Sequence, residues 1–186
     1  SAGVKNIFWN IRHSVLEKGK SKRSTILIAK FCSWISPFIP RQIICCANKA
    51  LEVHAKKGHQ RKKMVVIGNG YELDKFTPNS QLALDTRNEL MLSENVALLG
   101  MVGRYDPLKD HTNLLAALSQ LKHQFDFKCL LVGKDLSATN NELISEIEKQ
   151  GLQSHIVLLE QRNDIPAIMN ALDLHILSSS SEAFPN

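Results

Sequence analysis

Two cations five residues apart, Arg104 and Lys109, stand in the run Gly103-Arg104-Tyr105-Asp106-Pro107-Leu108-Lys109. An arginine grips two phosphate oxygens with its planar fork, and a lysine adds a mobile point charge to the same group. The pair has the chemistry of a diphosphate clamp. By spacing alone it serves equally well as a solvated loop with two surface cations, so the flanking elements decide.

The preceding stretch, Val96 to Val102, is apolar on both faces, as a parallel strand covered on both sides would be. The following one, Asp110 to Leu121, carries Leu114, Leu115, Leu118 and Leu121 at helical spacing, with Asp110 as N-cap. The cations thus occupy a strand-to-helix corner. In an open α/β sheet such corners border the ligand crevice, and a helix N-terminus there favours phosphate.

The rest of the chain repeats the alternation. Residues 7–11 and 42–46 read as strands, each followed by a helix, about 24–36 and 48–57. Strands then follow at 64–67, 127–132, 156–159 and 174–177, with helices near 84–92, 140–150 and 164–172. This pattern predicts an α/β fold: a doubly wound parallel sheet preceded by a partial second α/β unit at the N-terminus. The expected boundary separates residues 1–63 from 64–186.

At 186 residues, 44% hydrophobic and 22% charged, the chain falls outside the disordered and fibrous classes. Cys32, Cys45, Cys46 and Cys129 lack the spacing of zinc ligands and read as buried thiols of a reducing compartment. The first residues do not read as a signal peptide, and charges and prolines interrupt every apolar run before the roughly 20 residues a membrane span needs. Charge is divided unevenly. Residues 1–63 carry 14 Lys or Arg against 2 acidic residues, and residues 64–186 carry 9 against 16. The basic part reads as a solvated face, a membrane-surface contact or a nucleic-acid site. Phe8, Trp9, Phe31, Trp34 and Phe38 are spaced like core and amphipathic-helix residues, not a stacking platform, which favours the membrane surface over nucleic acid.

Each strand of the second part ends in a loop with candidate ligand groups: Gly133-Lys134-Asp135, Glu160-Gln161-Arg162-Asn163-Asp164, and four serines before Glu182. Together with Ile67-Gly68-Asn69-Gly70, Phe76-Thr77-Pro78, Gly151-Leu152 and Ile165-Pro166, this series resembles the C-terminal domain of family 4 glycosyltransferases, retaining nucleotide-sugar enzymes of the GT-B fold. The resemblance implies that residues 64–186 are the Rossmann-like half of a GT-B fold and that residues 1–63 close the acceptor domain. It also implies a hexose transfer from a UDP- or GDP-sugar, with retention, to a saccharide or lipid-linked acceptor in polysaccharide or glycolipid biosynthesis. The implied setting is cytoplasmic, peripheral at the inner face of the membrane.

By the same resemblance Arg104 and Lys109 bind the donor diphosphate, with Gly103 beside them. Glu182 takes the catalytic place near the reacting sugar carbon as the first carboxylate of a Glu-x7-Glu motif. Gly133, Gln161, Arg162, Asn163, Phe184, Pro185 and Asn186 line the nucleotide and sugar. Arg162 has an equal reading as an ion-pair partner. The fixed cations imply no metal and no cofactor beyond the donor, and the sequence offers no Asp-x-Asp pair. Gly68 and Ala183 depart from the family's usual Pro and Gly. The second Glu of the motif would fall beyond Asn186, so the fragment is expected to bind without catalysing. His111 reads as a helix-start residue packed on the loop in preference to a catalytic base. The rival from another class is a non-catalytic nucleotide-binding module.

Overall fold

The computed structural model describes residues 3–4, 6–16, 21–93 and 95–182. The chain folds as two compact units, residues 1–71 with 181–186, and residues 72–180.

The first unit begins with β1 (Phe8–Ile11), α1 (Arg23–Ile35), β2 (Gln42–Cys45) and α2 (Asn48–Lys56). The N-cap of α2 is Ala47, and Asn48 is its first residue. The helix closes at Gly58, whose φ of 101° suits glycine. The strand β3 (Met64–Val66) then lies beside β2, with Ile43 opposite Met64 and Cys45 opposite Val66. The sheet is parallel throughout, in the order β1-β2-β3. The sequence reading grouped residues 64–67 with the second unit, but β3 pairs with β2 and falls within the first unit. Ile43, Cys45, Cys46, Ala50, Leu51 and Met64 form the core here. All four cysteines are free, three of them buried and Cys32 half-buried.

The second unit contains α3 (Ser80–Glu89), β4 (Ala97–Val102), α4 (His111–Leu121), β5 (Phe127–Val132), α5 (Asn141–Gln150), β6 (Ile156–Leu159), α6 (Ile165–Ala171) and β7 (Leu174–His175). Helix α3 starts four residues earlier than periodicity alone suggests, because the Asn79 side chain accepts from Leu82 N at 3.0 Å and caps it. Asn140 caps α5 in the same way, and Gly151, in the left-handed region at φ 63°, ends it.

Period-two alternation sorts β4 and β5 onto two faces. Leu99, Met101, Cys129 and Leu131 pack with Leu114, Leu115 and Leu118 of α4 and with Leu143 and Ile147 of α5. Leu98, Leu130 and Val132 pack on the other face with Ile168 and Ala171 of α6. Both faces are covered, which is why these strands are apolar without interruption. The sheet order is β6-β5-β4-β7, all parallel, so the expected doubly wound α/β fold is what forms. The chain winds outward from β4 to β6 and then returns to the other side of β4, placing the topological switch point between β4 and β7.

Candidate functional site

The corner after β4 lies at that switch point. Beyond the strand ends the β4 and β5 loops stay zipped: Gly103 N donates to Val132 O and Tyr105 N to Lys134 O, both at 2.8 Å. Gly133 sits at φ 149°, and a Cβ there would lie 2.3 Å from Gly103 O. Its lack of a side chain therefore serves the approach of two loops, a reason the sequence does not display.

Asp106 organises the turn. Its Oδ1 accepts from Leu108 N at 2.9 Å, and its Oδ2 accepts from Arg104 Nε at 3.0 Å and Nη2 at 2.9 Å. Burial works against the Asp106 carboxylate, but the Leu108 amide and the cations Arg104 and Lys109 hold its pKa below the usual range. Pro107 opens a 3-10 turn over Pro107–Lys109, with its ring φ already suited to that position. Asp110 follows in the left-handed region at φ 55°, and its side chain accepts from Asn113 N as the cap of α4. The chain has thus doubled back. The Lys109 side chain runs over Gly103, where a Cβ would stand 3.3 Å from Lys109 Cε and 3.6 Å from Nζ. Arg104 is 62% exposed, so its guanidinium remains open to a ligand on the side away from Asp106.

The segment after β7 braces the corner. Ser178 Oγ donates to Lys109 O at 2.9 Å and Asp110 O at 3.1 Å, and Ser180 N donates to Leu108 O at 2.9 Å. Sequence reading offered these serines as ligand groups; the hydroxyls of Ser178 and Ser180 are spent on the turn's carbonyls. His111 is 3% exposed, with its ring centroid 5.3 Å from that of Tyr105. Burial, then Lys109, holds its pKa below the ordinary value. It packs on the loop as a neutral ring.

At the end of β6, Gln161 and Asn163 are exposed. Arg162 is held by a bidentate pair with Asp164, at 2.8 and 2.5 Å, and by Glu89 at 2.9 Å. Its guanidinium therefore joins the β6–α6 loop to α3, which is the ion-pair alternative in physical form. Glu182 belongs to the first unit, half-buried, and its backbone oxygen accepts from Ser14 Oγ at 3.1 Å. Phe184, Pro185 and Asn186 lie outside the described residues. Among the described residues no group of three or more His, Cys, Asp or Glu is arranged to hold a metal ion, and no helix is long and apolar enough to cross a membrane.

One residue pair that sequence reasoning missed underpins the second unit. Arg87 of α3 is buried, its Nε donating to Ala171 O at 3.0 Å and its Nη2 to Asp173 Oδ2 at 2.8 Å. The same carboxylate oxygen accepts from Leu98 N at 2.7 Å. The pair holds α3, the end of α6 and the starts of β4 and β7 together. The residues around Arg87 in sequence gave no sign of it.

Comparison with known proteins gives the family and the fold. The family model described as glycosyl transferases group 1 matches residues 83–186. The curated UDP-Gal:alpha-D-GlcNAc-diphosphoundecaprenol alpha-1,3-galactosyltransferase of Escherichia coli is 27% identical over 190 residues, covering 99% of this chain and 48% of that protein. The chain therefore spans about half the length of this relative. Among solved structures, Anabaena Alr3699/HepE in complex with UDP-glucose matches with a TM-score of 0.82 at 21% identity, over 95% of this chain and 47% of that one. WaaG, a glycosyltransferase involved in lipopolysaccharide biosynthesis, gives a TM-score of 0.75 at 17% identity, over 98% of this chain and 55% of that one. At these identities the structural likeness carries the fold, the Rossmann-like α/β arrangement of GT-B glycosyltransferases.

Proposed function

The chain belongs to the group 1 glycosyl transferases, and on that premise we propose that its β4 corner binds the diphosphate of a UDP- or GDP-hexose. The hexose passes, with retention, to a saccharide or lipid-linked acceptor. The observation carrying this reading is that two cations share the corner at the switch point, Lys109 running over Gly103 and Arg104 oriented by Asp106, against the N-terminus of the eleven-residue helix α4.

The chemistry follows from charge. As the bond between the sugar's anomeric carbon and the diphosphate breaks, negative charge grows on the leaving oxygen, and fixed cations stabilise that change. Arg104 and Lys109 would supply them without a metal or cofactor. Glu182 would face the positive charge developing on the sugar ring. The Gly133 backbone would approach the nucleotide beside the corner, and Phe184, Pro185 and Asn186 would complete its lining. The loop of Gln161, Arg162 and Asn163 lies two strands from the corner, about 10 Å at ordinary strand spacing. That span suits a base held by this loop and a diphosphate held at the corner.

Support for uridine comes from the donor in the printed name of the Escherichia coli relative and from the UDP-glucose bound to Alr3699/HepE. That relative's acceptor is a saccharide on diphosphoundecaprenol, which supports a lipid-linked acceptor, polysaccharide or glycolipid synthesis, and work at the cytoplasmic membrane face, with residues 1–63 as the contact. Calorimetric titration with UDP and GDP tests the donor reading. The wild type should bind one nucleotide, and Arg104→Ala or Lys109→Ala should weaken it roughly tenfold or more. Unchanged binding in both variants, or no binding at all by the wild type, overturns the assignment.

A further inference from the structure

Residues 160–164 join β6 to α6 with no helix or strand of their own. Gln161 and Asn163 are exposed, but the Arg162 side chain between them is only 23% exposed. Its Nε and Nη2 donate to the two carboxylate oxygens of Asp164 at 2.8 and 2.5 Å, and its Nη1 donates to Glu89 Oε1 at 2.9 Å. Two carboxylates from different elements thus share one guanidinium. Asp164 is the N-cap residue of α6, where an aspartate ordinarily accepts from the helix's own amides, yet its side chain makes no cap hydrogen bond. The carboxylate is committed to Arg162 instead, and that guanidinium holds its pKa below the usual range. An isolated exposed ion pair does little, whereas a bidentate pair inside a network holds its side chains in one geometry.

Glu89 is the member of this network that comes from outside the loop, 73 positions upstream. It is the last residue of α3, two positions after Arg87, whose bonds to Ala171 O and Asp173 Oδ2 pin that helix to the end of α6 and the start of β7. The loop is therefore tethered to an element that is itself fixed. A guanidinium already shared by two carboxylates has little left to offer a nucleotide. The side-chain amides of Gln161 and Asn163, one acceptor and two donors each, match the N–H and carbonyl groups that uracil and guanine both carry on their edges. We propose that Glu89, acting through Arg162, is a positioning residue for the nucleoside: the Glu89, Arg162 and Asp164 network fixes the loop so that Gln161 and Asn163 meet the base, and Arg162 is a strut and not a ligand. A site is only as well defined as the residues that hold its contacting groups in place. This deepens, and rests on, the reading of a base held by the β6–α6 loop.

Calorimetric titration with UDP, GDP and inorganic pyrophosphate tests it, since pyrophosphate engages the β4 corner and has no base for the loop. Glu89→Gln should weaken binding of the preferred nucleotide about fivefold, in the range of couplings within one ion-pair network, and leave pyrophosphate binding unchanged. Glu89→Asp keeps the charge one methylene short and should show the same split to a smaller degree, which also serves if Glu89→Gln loses its native circular dichroism. Arg162→Gln should weaken the nucleotide by a similar factor, and adding Glu89→Gln to it should change nothing further, because the strut is already gone. Three results overturn the inference: nucleotide binding that both Glu89 variants leave unchanged, an equal fall for nucleotide and pyrophosphate, or additive losses in the double variant, which would make Arg162 a ligand in its own right. Failure of the wild type to bind either nucleotide or pyrophosphate rejects the donor site and this inference with it. Nucleotide binding that depends on Arg104 and Lys109 but not on Glu89 rejects this inference alone.

Discussion

Gly133 stands so close to Gly103 that a Cβ on the former would meet the carbonyl oxygen of the latter at 2.3 Å. The contact is backbone on backbone, so nothing can rotate away. Gly133→Ala should cost roughly 3 kcal/mol, from its φ of 149° and the collision together. Urea denaturation checks this, with Gly70→Ala as the control, since a Cβ there meets nothing within 4 Å. A loss in the first variant with no change in the second is the expected result.

Arg104 and Asp106 form an oriented pair whose value lies in geometry. Arg104→Lys keeps the charge but loses the fork held at 3.0 and 2.9 Å by Asp106. Nucleotide affinity should fall by about tenfold, and the far-ultraviolet circular dichroism should stay unchanged. Asp106→Ala should weaken binding similarly and also destabilise the fold by about 1 kcal/mol, because the turn loses its cap at Leu108.

Arg87 and Asp173 should prove the costliest polar pair to break in the second unit. Arg87→Ala takes the cation from the Asp173 carboxylate, which keeps the Leu98 amide, and the side-chain donor from Ala171 O, for a loss of about 2 kcal/mol in chemical denaturation. Burial opposes the Asp173 carboxylate, but the Leu98 amide and Arg87 lower its pKa from the ordinary 3.8. A lowered pKa places this stability above the ordinary carboxylate range and removes it as pH falls below that range. Asp173→Asn should therefore flatten the acid limb of the stability profile.

His54 supplies a second, separable acid limb. Burial first, then the neighbouring His59 ring at 4.9 Å, pushes its pKa down to about 4 from 6.5. The unfolded chain binds that proton more readily, so the contribution is complete above pH 6.5 and is lost as pH falls towards 4. Proton NMR should show the His54 ring neutral at pH 5.5, and His54→Gln should reduce the slope of stability between these limits. A ring that titrates near 6.5 in the folded protein would contradict this account.

Much of the fold was legible because the signals are local. The four leucines of α4, its cap at Asp110 and the helix near 140–150 are written in residues a few positions apart, and all reappear in the structure. The corner of Gly103 to Lys109 was legible for the same reason: a strand, a turn residue and a helix cap are consecutive. Arg87 was not legible, since its acceptors lie 84 and 86 positions away in sequence. Nor were the roles of Ser178 and Ser180, whose acceptors lie about 70 positions upstream.

Periodicity and capping determined in advance that the chain alternates strand and helix and sets two cations at a strand-to-helix corner, because backbone geometry converts short-range spacing directly into faces and turns. Tertiary structure alone decided which strands are neighbours: β3 beside β2, and β7 beside β4, so that the serines brace the corner. It also decided that α1 turns its aromatic residues outward. Pairing and burial depend on surfaces brought from distant parts of the chain, and hydrophobicity is indifferent to direction until those surfaces meet.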